Sequence, residues 1–459
     1  MPEPDRSPVV IVGGGISGLS AAYYLNRRGV AAVLIEREPR LGGVITTSRV
    51  EGCVVEGGPD SFLAAKPAAM ELIREVGLES EVIGSNDEKR VTYIRRNGRM
   101  VPLPDGLMMM VPTRVMPIAV SGLLGWGTKV RMGLEWFRKP ASMERDRSVA
   151  EFIRDHYGQE AVDYLAEPLL AGVYGGDPEK LSAASVLPRF VEFERQYGSL
   201  TRGTLASMAQ QAARPHGAAQ PKKPPLFRTL KGGLGSLVDA VKSRLGRTRI
   251  VTGPVEAVEA TRTRVNGEWI DAGAIVLACP AHAAAKLVPI PELAEIPYSS
   301  SMTVALGYRR EMLRALPKGF GFLVPARERK RMVACTFVGT KFSHRVPEGM
   351  ELLRCFLGGA SDEAALSLLD DQVTHAVREE LREMFGLDAQ PEFVRISRWP
   401  RSMAQYTVGH AARIERIREA AARIPWLHLT GNAYNGIGIP DCIALSKSVA
   451  EKLTATPPA

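Results

Sequence analysis

The stretch from Pro8 to Glu36 limits what this chain can become more than any other. Pro8 to Val12 is a β-rich apolar run that leads straight into Gly13-x-Gly15-x-x-Gly18. Leu19, Ala22, Tyr23 and Leu25 then follow at helical spacing, and Gly29 closes the helix. Val33-Leu34-Ile35 reads as a second buried strand, and parallel neighbours of this kind need a crossover helix, so the unit is βαβ. The first glycine permits a sharp turn, the second lets backbone approach a pyrophosphate, and the third lets helix and strand pack closely. Glu36 stands 18 residues past Gly18 at the end of the second strand, where a carboxylate can accept ribose hydroxyls. With Ile16 and Ser17 in the first helical turn, these residues predict a dinucleotide site.

Two later glycine sets favour FAD over a nicotinamide. Arg37 opens REPRLGG, which puts Gly42-Gly43 just past the second strand, and Gly57-Gly58-Pro59-Asp60 follows shortly. Backbone exposed in this order suits a dinucleotide that threads the domain. A third element, from Gly431 through Asn432, Gly436, Ile437, Gly438 and Ile439 to Asp441, lies between a strand (426–430) and a helix (443–453). Its helix N-terminus can face the flavin or its pyrophosphate. The predicted fold class is therefore α/β, with a Rossmann-like FAD-binding domain assembled from both termini. An α+β substrate domain and a mostly helical insertion complete it.

The rest of the chain is assigned around that frame. FAD-binding segments are expected at 1–88, 226–288 and 421–459, substrate-domain segments at 89–105 and 289–420, and a helical domain at 106–213. Helices are expected over 66–84 and 362–386, helical stretches among interspersed Pro, Gly and Met at 148–170 and 183–211, a hairpin over 91–103 around Asn97-Gly98, and a loop at 214–225. The 59 basic and 50 acidic residues leave a formal charge of +9, but no run of five like charges forms a nucleic-acid arm. Cys53, Cys279, Cys335, Cys355 and Cys442 are scattered without a metal-ligand spacing, so no metal is expected and a reducing, cytoplasmic setting is. The N-terminus has no signal-peptide pattern. The most apolar window, 106–126, is broken by Pro112, Arg114 and Pro117 and cannot span a bilayer cleanly. Met108 to Met110 with Trp126, Lys129 and Arg131 suit either a membrane surface on the inner face of the cell membrane or a helix in the protein's own core. The sequence leaves that choice open, as it does a homodimer.

Several stretches together resemble the FAD-dependent amine oxidase superfamily and, within it, the protoporphyrinogen and coproporphyrinogen oxidases of haem biosynthesis. They are GGGISGLSAAYYL, RLGGVITT, GGPDSFLAAKP, VYGGDPEKLS, GFGFLVP, WPRSMAQYTVGH and GNAYNGIGIPDCI, spread over nearly the whole chain. The resemblance implies oxidation of a porphyrinogen in two-electron steps with molecular oxygen as acceptor, the organic chemistry belonging mainly to the flavin. It implies that Phe320, Gly321 and Leu323 lie over the substrate ring, with a small residue at 321 admitting the macrocycle. It also implies that Arg90 pairs with a propionate, that Lys66 is a basic substrate-side residue, and that Val255 lies on the adenine side. No cysteine falls within GNAYNGIG, so FAD is expected to be non-covalent. No catalytic dyad is evident. Arg90 leans the expected substrate toward protoporphyrinogen IX, with coproporphyrinogen III, an amine or a carotenoid as alternatives.

Overall fold

The computed structural model describes residues 7–140, 145–213 and 225–455. The loop expected at 214–225 lies outside them except for Pro225. The chain forms two compact units, one of Met1–Ser85, Pro225–Pro297 and Ala412–Ala459, the other of Asn86–Pro224 and Tyr298–Ala411.

The first unit is built on a five-stranded parallel sheet in the order Thr248–Thr252, Ala32–Glu36, Val9–Val12, Ala274–Leu277, Leu427–Leu429. Strands from three distant parts of the chain thus share one sheet, as expected of a domain closed by both termini. Val9 to Val12 are buried on both faces, which is why they read as a continuous apolar run. The helix Ile16–Arg27 covers the sheet with Leu19 and Leu25, and the C-terminal helix Ile439–Ala455 packs along it through Ile443 and Val449. Each such fully buried side chain contributes about 1.5–3 kcal/mol. The expected helix at 66–84 is shorter. Pro67–Glu75 is helical, Gly77 turns left-handed at φ +78°, and Val82–Gly84 becomes a strand paired with Phe227–Leu230. Val82 and Ile83 continue the apolar spacing, so periodicity alone hid the break.

The second unit holds a seven-stranded sheet in the order Phe393–Ala404, Tyr298–Arg309, Met350–Gly358, Ala334–Phe337, Gly321–Leu323, Thr92–Arg96, Arg99–Pro102. The last two strands form the expected hairpin, with Asn97 and Gly98 both at positive φ (50° and 74°). The helix Asp370–Phe385 covers one face, placing Val373, Val377 and Leu381 against Val304, Leu306, Phe322 and Cys355. Residues 362–369, expected as part of that helix, hold only the short 3-10 turn Glu363–Ser367. The strand Phe393–Ala404 had no clear sequence signal because it contains Pro400. It lies at the sheet edge, where a missing N–H costs little.

The helices of 106–213 belong to this second unit and are more broken than expected. A capping box joining Ser148 and Glu151 starts Val149–Tyr157, and Gly158 at φ +90° ends it. A π-helical turn, Val162–Ala166, then leads into Glu167–Tyr174. Residues 183–211 divide into three helices at Pro188 and at Gly198, where a Cβ would lie 2.1 Å from the Lys139 carbonyl carbon. The 106–126 window is two tiny strands and the helix Val115–Val120. No helix among the described residues is long and apolar enough to cross a membrane.

A buried ionic network, invisible in the sequence, ties these helices together. His156 Nδ1 lies 3.0 Å from Glu135 and Nε2 lies 3.1 Å from Glu194, all three side chains being almost completely buried. Glu135 also accepts from the Ser199 hydroxyl (2.8 Å), and Glu194 pairs with Arg147 (2.5 Å). Burial alone would raise both carboxyl pKa values, but the His156 contacts and the other hydrogen bonds outweigh it and hold both below the ordinary range. Asp155 joins His156 and Glu194 within 4.8 Å, yet Arg138 and Arg147 already occupy its carboxylate. Removing one member of such a set leaves uncompensated buried charge. His156→Leu should lose about 3–5 kcal/mol of stability in denaturant unfolding. Because both carboxyls are depressed, their stabilisation is complete above the unfolded carboxyl range and is lost as pH falls below about 4. A variant as stable as the parent would remove the network from this role.

Candidate active site

Three glycines of the first motif have three distinct physical reasons. Gly13 stands at φ +110°, and its N–H donates to the Ile35 carbonyl at 2.8 Å, joining turn to strand. A Cβ at Gly18 would lie 1.8 Å from the Gly13 carbonyl oxygen, so only glycine lets the helix come this close. Gly15 is different. Its φ of −70° and ψ of −178° suit any residue, and a Cβ there would meet only the Gly43 Cα, at 3.9 Å. Its glycine leaves open space at the start of the helix, where free N–H groups point outward.

Of the other expected cofactor residues, Gly42 and Gly43 lie against this turn. The Gly42 N–H donates to the Gly14 carbonyl (2.8 Å), and Gly43, at φ +57°, sits against Gly15. Glu36 accepts from the Gly14 N–H at 2.6 Å and from the Glu38 N–H at 2.9 Å, which fixes its carboxylate at the strand end. Arg37 instead forms an exposed pair with Glu38. Arg40, not singled out from the sequence although it lies in the same REPRLGG run, holds the turn by donating to the Leu41 and Ile45 carbonyls (both 2.8 Å) and to that of Gly43. The Gly57 N–H donates to the Thr46 carbonyl (2.9 Å), and a Cβ at Gly58 would lie 1.8 Å from the Val44 carbonyl oxygen. Pro59 follows directly, and Asp60 accepts from Ser61. Val255 begins the strand just beyond Thr252, which pairs with Glu36.

The C-terminal loop reaches the same unit. Gly431 and Gly436 take φ of 138° and 121°, and a Cβ at Gly436 would lie 2.5 Å from the Asp441 carboxyl carbon. Asn432, Ile437 and Gly438 are half-buried, while Ile439 is buried and opens the last helix. The Ser17 hydroxyl hydrogen-bonds the Cys442 thiol, linking the two helix starts. Burial raises Cys279 to about 12 and Cys442 to about 11, so neither supplies a thiolate at neutral pH to tether a cofactor. Open backbone at Gly15, a fixed carboxylate at Glu36 and two helix starts fit the adenine dinucleotide of FAD. That group supplies two-electron redox chemistry when bound; this chain's residues supply its cradle.

Two of the expected substrate-side residues make close contacts of their own. Lys66 donates to both oxygens of Asp441 (2.7 and 2.6 Å). Gly321, at φ +140°, would place a Cβ 1.9 Å from the Cys335 carbonyl oxygen. The close approach of the neighbouring strand thus requires glycine here in its own right. Phe320 is buried, and Leu323 is half-buried against Gly172 of the helix Glu167–Tyr174. That helix is fastened to the end of the same strand, with Glu167 pairing Arg329 (2.6 Å) and accepting from the Ala326 N–H (2.9 Å). Arg90 is exposed at the end of a short turn and has no ion pair among the described residues. Cys335 and Cys355, scattered in sequence, lie opposite each other in the sheet with sulfurs 3.6 Å apart.

The contrast between Gly15 and Gly18 yields a paired test. Gly15→Val should fold with near-parental thermal stability yet bind FAD more than about tenfold more weakly by fluorescence titration. Gly18→Val should lose about 3 kcal/mol or more of stability through the forced carbonyl contact. Equal FAD affinity in Gly15→Val would place the cofactor elsewhere.

Residues 16–454 match the family of flavin containing amine oxidoreductases. The chain is 34% identical to the coproporphyrinogen III oxidase of Bacillus subtilis, over 98% of each protein. It is 27% identical to the chloroplastic protoporphyrinogen oxidase 1 of Arabidopsis thaliana, over 95% of this chain and 85% of that one. Among solved structures, a putative protoporphyrinogen oxidase from Exiguobacterium superposes with a TM-score of 0.86 at 31% identity, covering 98% of this chain and 99% of the other. The chain therefore belongs to the flavin-containing amine oxidoreductases.

Proposed function

We propose that this protein is an FAD-dependent porphyrinogen oxidase of haem biosynthesis and that its substrate is coproporphyrinogen III. The observation that carries the reading is end-to-end likeness, at 34% identity, to a bacterial protein named for that reaction. The expected lean toward protoporphyrinogen IX rested on Arg90, whose exposed guanidinium suits a propionate on either substrate. The plant relative and the Exiguobacterium structure keep protoporphyrinogen IX as the second reading. Bound FAD would supply the two-electron chemistry that links the reduced macrocycle to molecular oxygen. The chain binds and orients: Arg90 holds a carboxylate, while Leu323 with Gly172 and Val173 offers apolar surface to a flat ring.

Parallel assays following porphyrin fluorescence decide the substrate, with faster turnover of coproporphyrinogen III expected and faster turnover of protoporphyrinogen IX favouring the second reading. Arg90→Ala should raise KM about two- to fivefold with kcat little changed, because an exposed carboxylate pair is uniform binding worth up to about 1 kcal/mol. An unchanged KM would return Arg90 to the solvated surface.

We further propose a peripheral contact with an anionic lipid surface. Val115, Met116, Val120, Trp126, Val130, Leu134 and Phe137 are exposed apolar side chains, Trp126 by 71% and Phe137 by 77%. The four from Trp126 onward are spaced at 126, 130, 134 and 137, one side of a helical path. Arg114, Lys129, Arg131 and Lys139 flank them, Arg138 being paired with Asp155, and the single acid between 107 and 140, Glu135, is buried. Cosedimentation with phosphatidylglycerol vesicles should be strong, and should fall in Trp126→Ser/Phe137→Ser. Equal recovery of both proteins would overturn the contact.

A further inference from the structure

We infer that Lys66 and Asp441 form an ionic latch that sets the conformation, and therefore the flavin affinity, of the loop from Gly431 to Gly438. The inference rests on assigning that loop to the flavin. Both Asp441 oxygens accept from Lys66 Nζ, at 2.7 and 2.6 Å, although the two residues are 375 positions apart. The same carboxylate also works on the loop itself. Its Oδ2 accepts from the Gly438 N–H at 3.2 Å, and its carboxyl carbon fills the space a Gly436 side chain would need. One carboxylate thus bridges a lysine from the early part of the chain and two loop glycines from the late part.

Position and charge explain why the lysine is needed. Asp441 stands in the first turn of the helix Ile439–Ala455, where the helix dipole favours an anion. That helix start belongs to the flavin cradle, and FAD carries a pyrophosphate and gains negative charge on reduction. An uncompensated carboxylate there competes with the cofactor for the same positive end. Lys66 cancels that charge and fixes the carboxylate's orientation toward Gly438. The lysine follows a two-residue turn after the Phe62–Leu63 strand and caps the helix that Pro67 opens, its N–H donating to the Leu63 carbonyl at 3.3 Å, so its backbone is anchored. Asp441 is only 17% exposed while Lys66 is 47% exposed, so the pair is reachable by solvent ions on one side. Lys66 is thus a positioning residue for the cofactor.

The test uses purified full-length protein stripped of cofactor and titrated with FAD. Lys66→Met should weaken FAD binding about three- to tenfold, as losing a half-exposed pair implies. Its reduction potential should also move to more negative values, because the carboxylate is left uncompensated. Lys66→Arg should restore both, and FAD affinity of the parent, but not of Lys66→Met, should fall as salt is raised from 50 to 500 mM. Parental affinity and potential in Lys66→Met, with only a raised porphyrinogen KM, would overturn the latch and return Lys66 to the substrate side. Ile437→Glu separates the two levels. It puts a charge into the loop and should weaken FAD whatever holds the loop. If it does not, the loop assignment fails; if it does while Lys66→Met binds normally, the latch alone fails.

Discussion

The approach of one backbone to another, with Gly18 against the Gly13 carbonyl, is the constraint from which the cofactor unit follows. Were residue 18 larger, the helix Ile16–Arg27 would stand off the sheet, and Gly14 and Gly15 would lose their place beside Glu36 and Gly43. The C-terminal helix Ile439–Ala455 packs on that same first helix, so the late glycine loop inherits its position from the early one. The early and late segments are then closed into one unit by side-chain packing between these two helices, through Leu19, Leu25, Ile443 and Val449. The surrounding apolar cluster, with Ile11, Leu19, Leu34 and Ile443 fully buried, stabilises this arrangement without specifying its chemistry.

What the unit can do depends on which of its glycines are there for packing and which for access. Gly13, Gly18, Gly42 and Gly58 answer to their own chain through positive φ or a carbonyl in contact. Gly15 has no such constraint, a Cβ there meeting only the Gly43 Cα at 3.9 Å, which leaves its backbone open to the cofactor we propose it holds. In the second unit Gly321 belongs with the packing group, since its missing side chain serves the Cys335 carbonyl. A motif comparison cannot separate these cases because the letter is the same in each. Only the direction in which a Cβ would point distinguishes them.

Much of the architecture was readable beforehand for the same reason. The βαβ start, the Asn97-Gly98 hairpin and the closure of the first sheet by Leu427–Leu429 depend on local turn chemistry and apolar periodicity, both written directly in the residues. Features that depend on partners far away in sequence were not. Lys66 reads as a free cation until Asp441 is seen beside it. His156 reads as one histidine in an amphipathic helix until Glu135 and Glu194 close on either ring nitrogen. Phe393–Ala404 reads as interrupted by Pro400 until its place at the sheet edge is known. Arg40 was within sight, but its role is to bind carbonyls of the turn it precedes, which no charge pattern signals.

Family membership and a cradle for FAD converge on a single requirement, that the folded protein holds a flavin. The most direct measurement is the visible absorbance spectrum of the purified chain, before and after adding FAD and passing the mixture through a desalting column. The account predicts the paired bands of an oxidised flavin, retained at about one per chain and released intact on denaturation. A colourless protein that emerges from the column still colourless after incubation with excess FAD would contradict it.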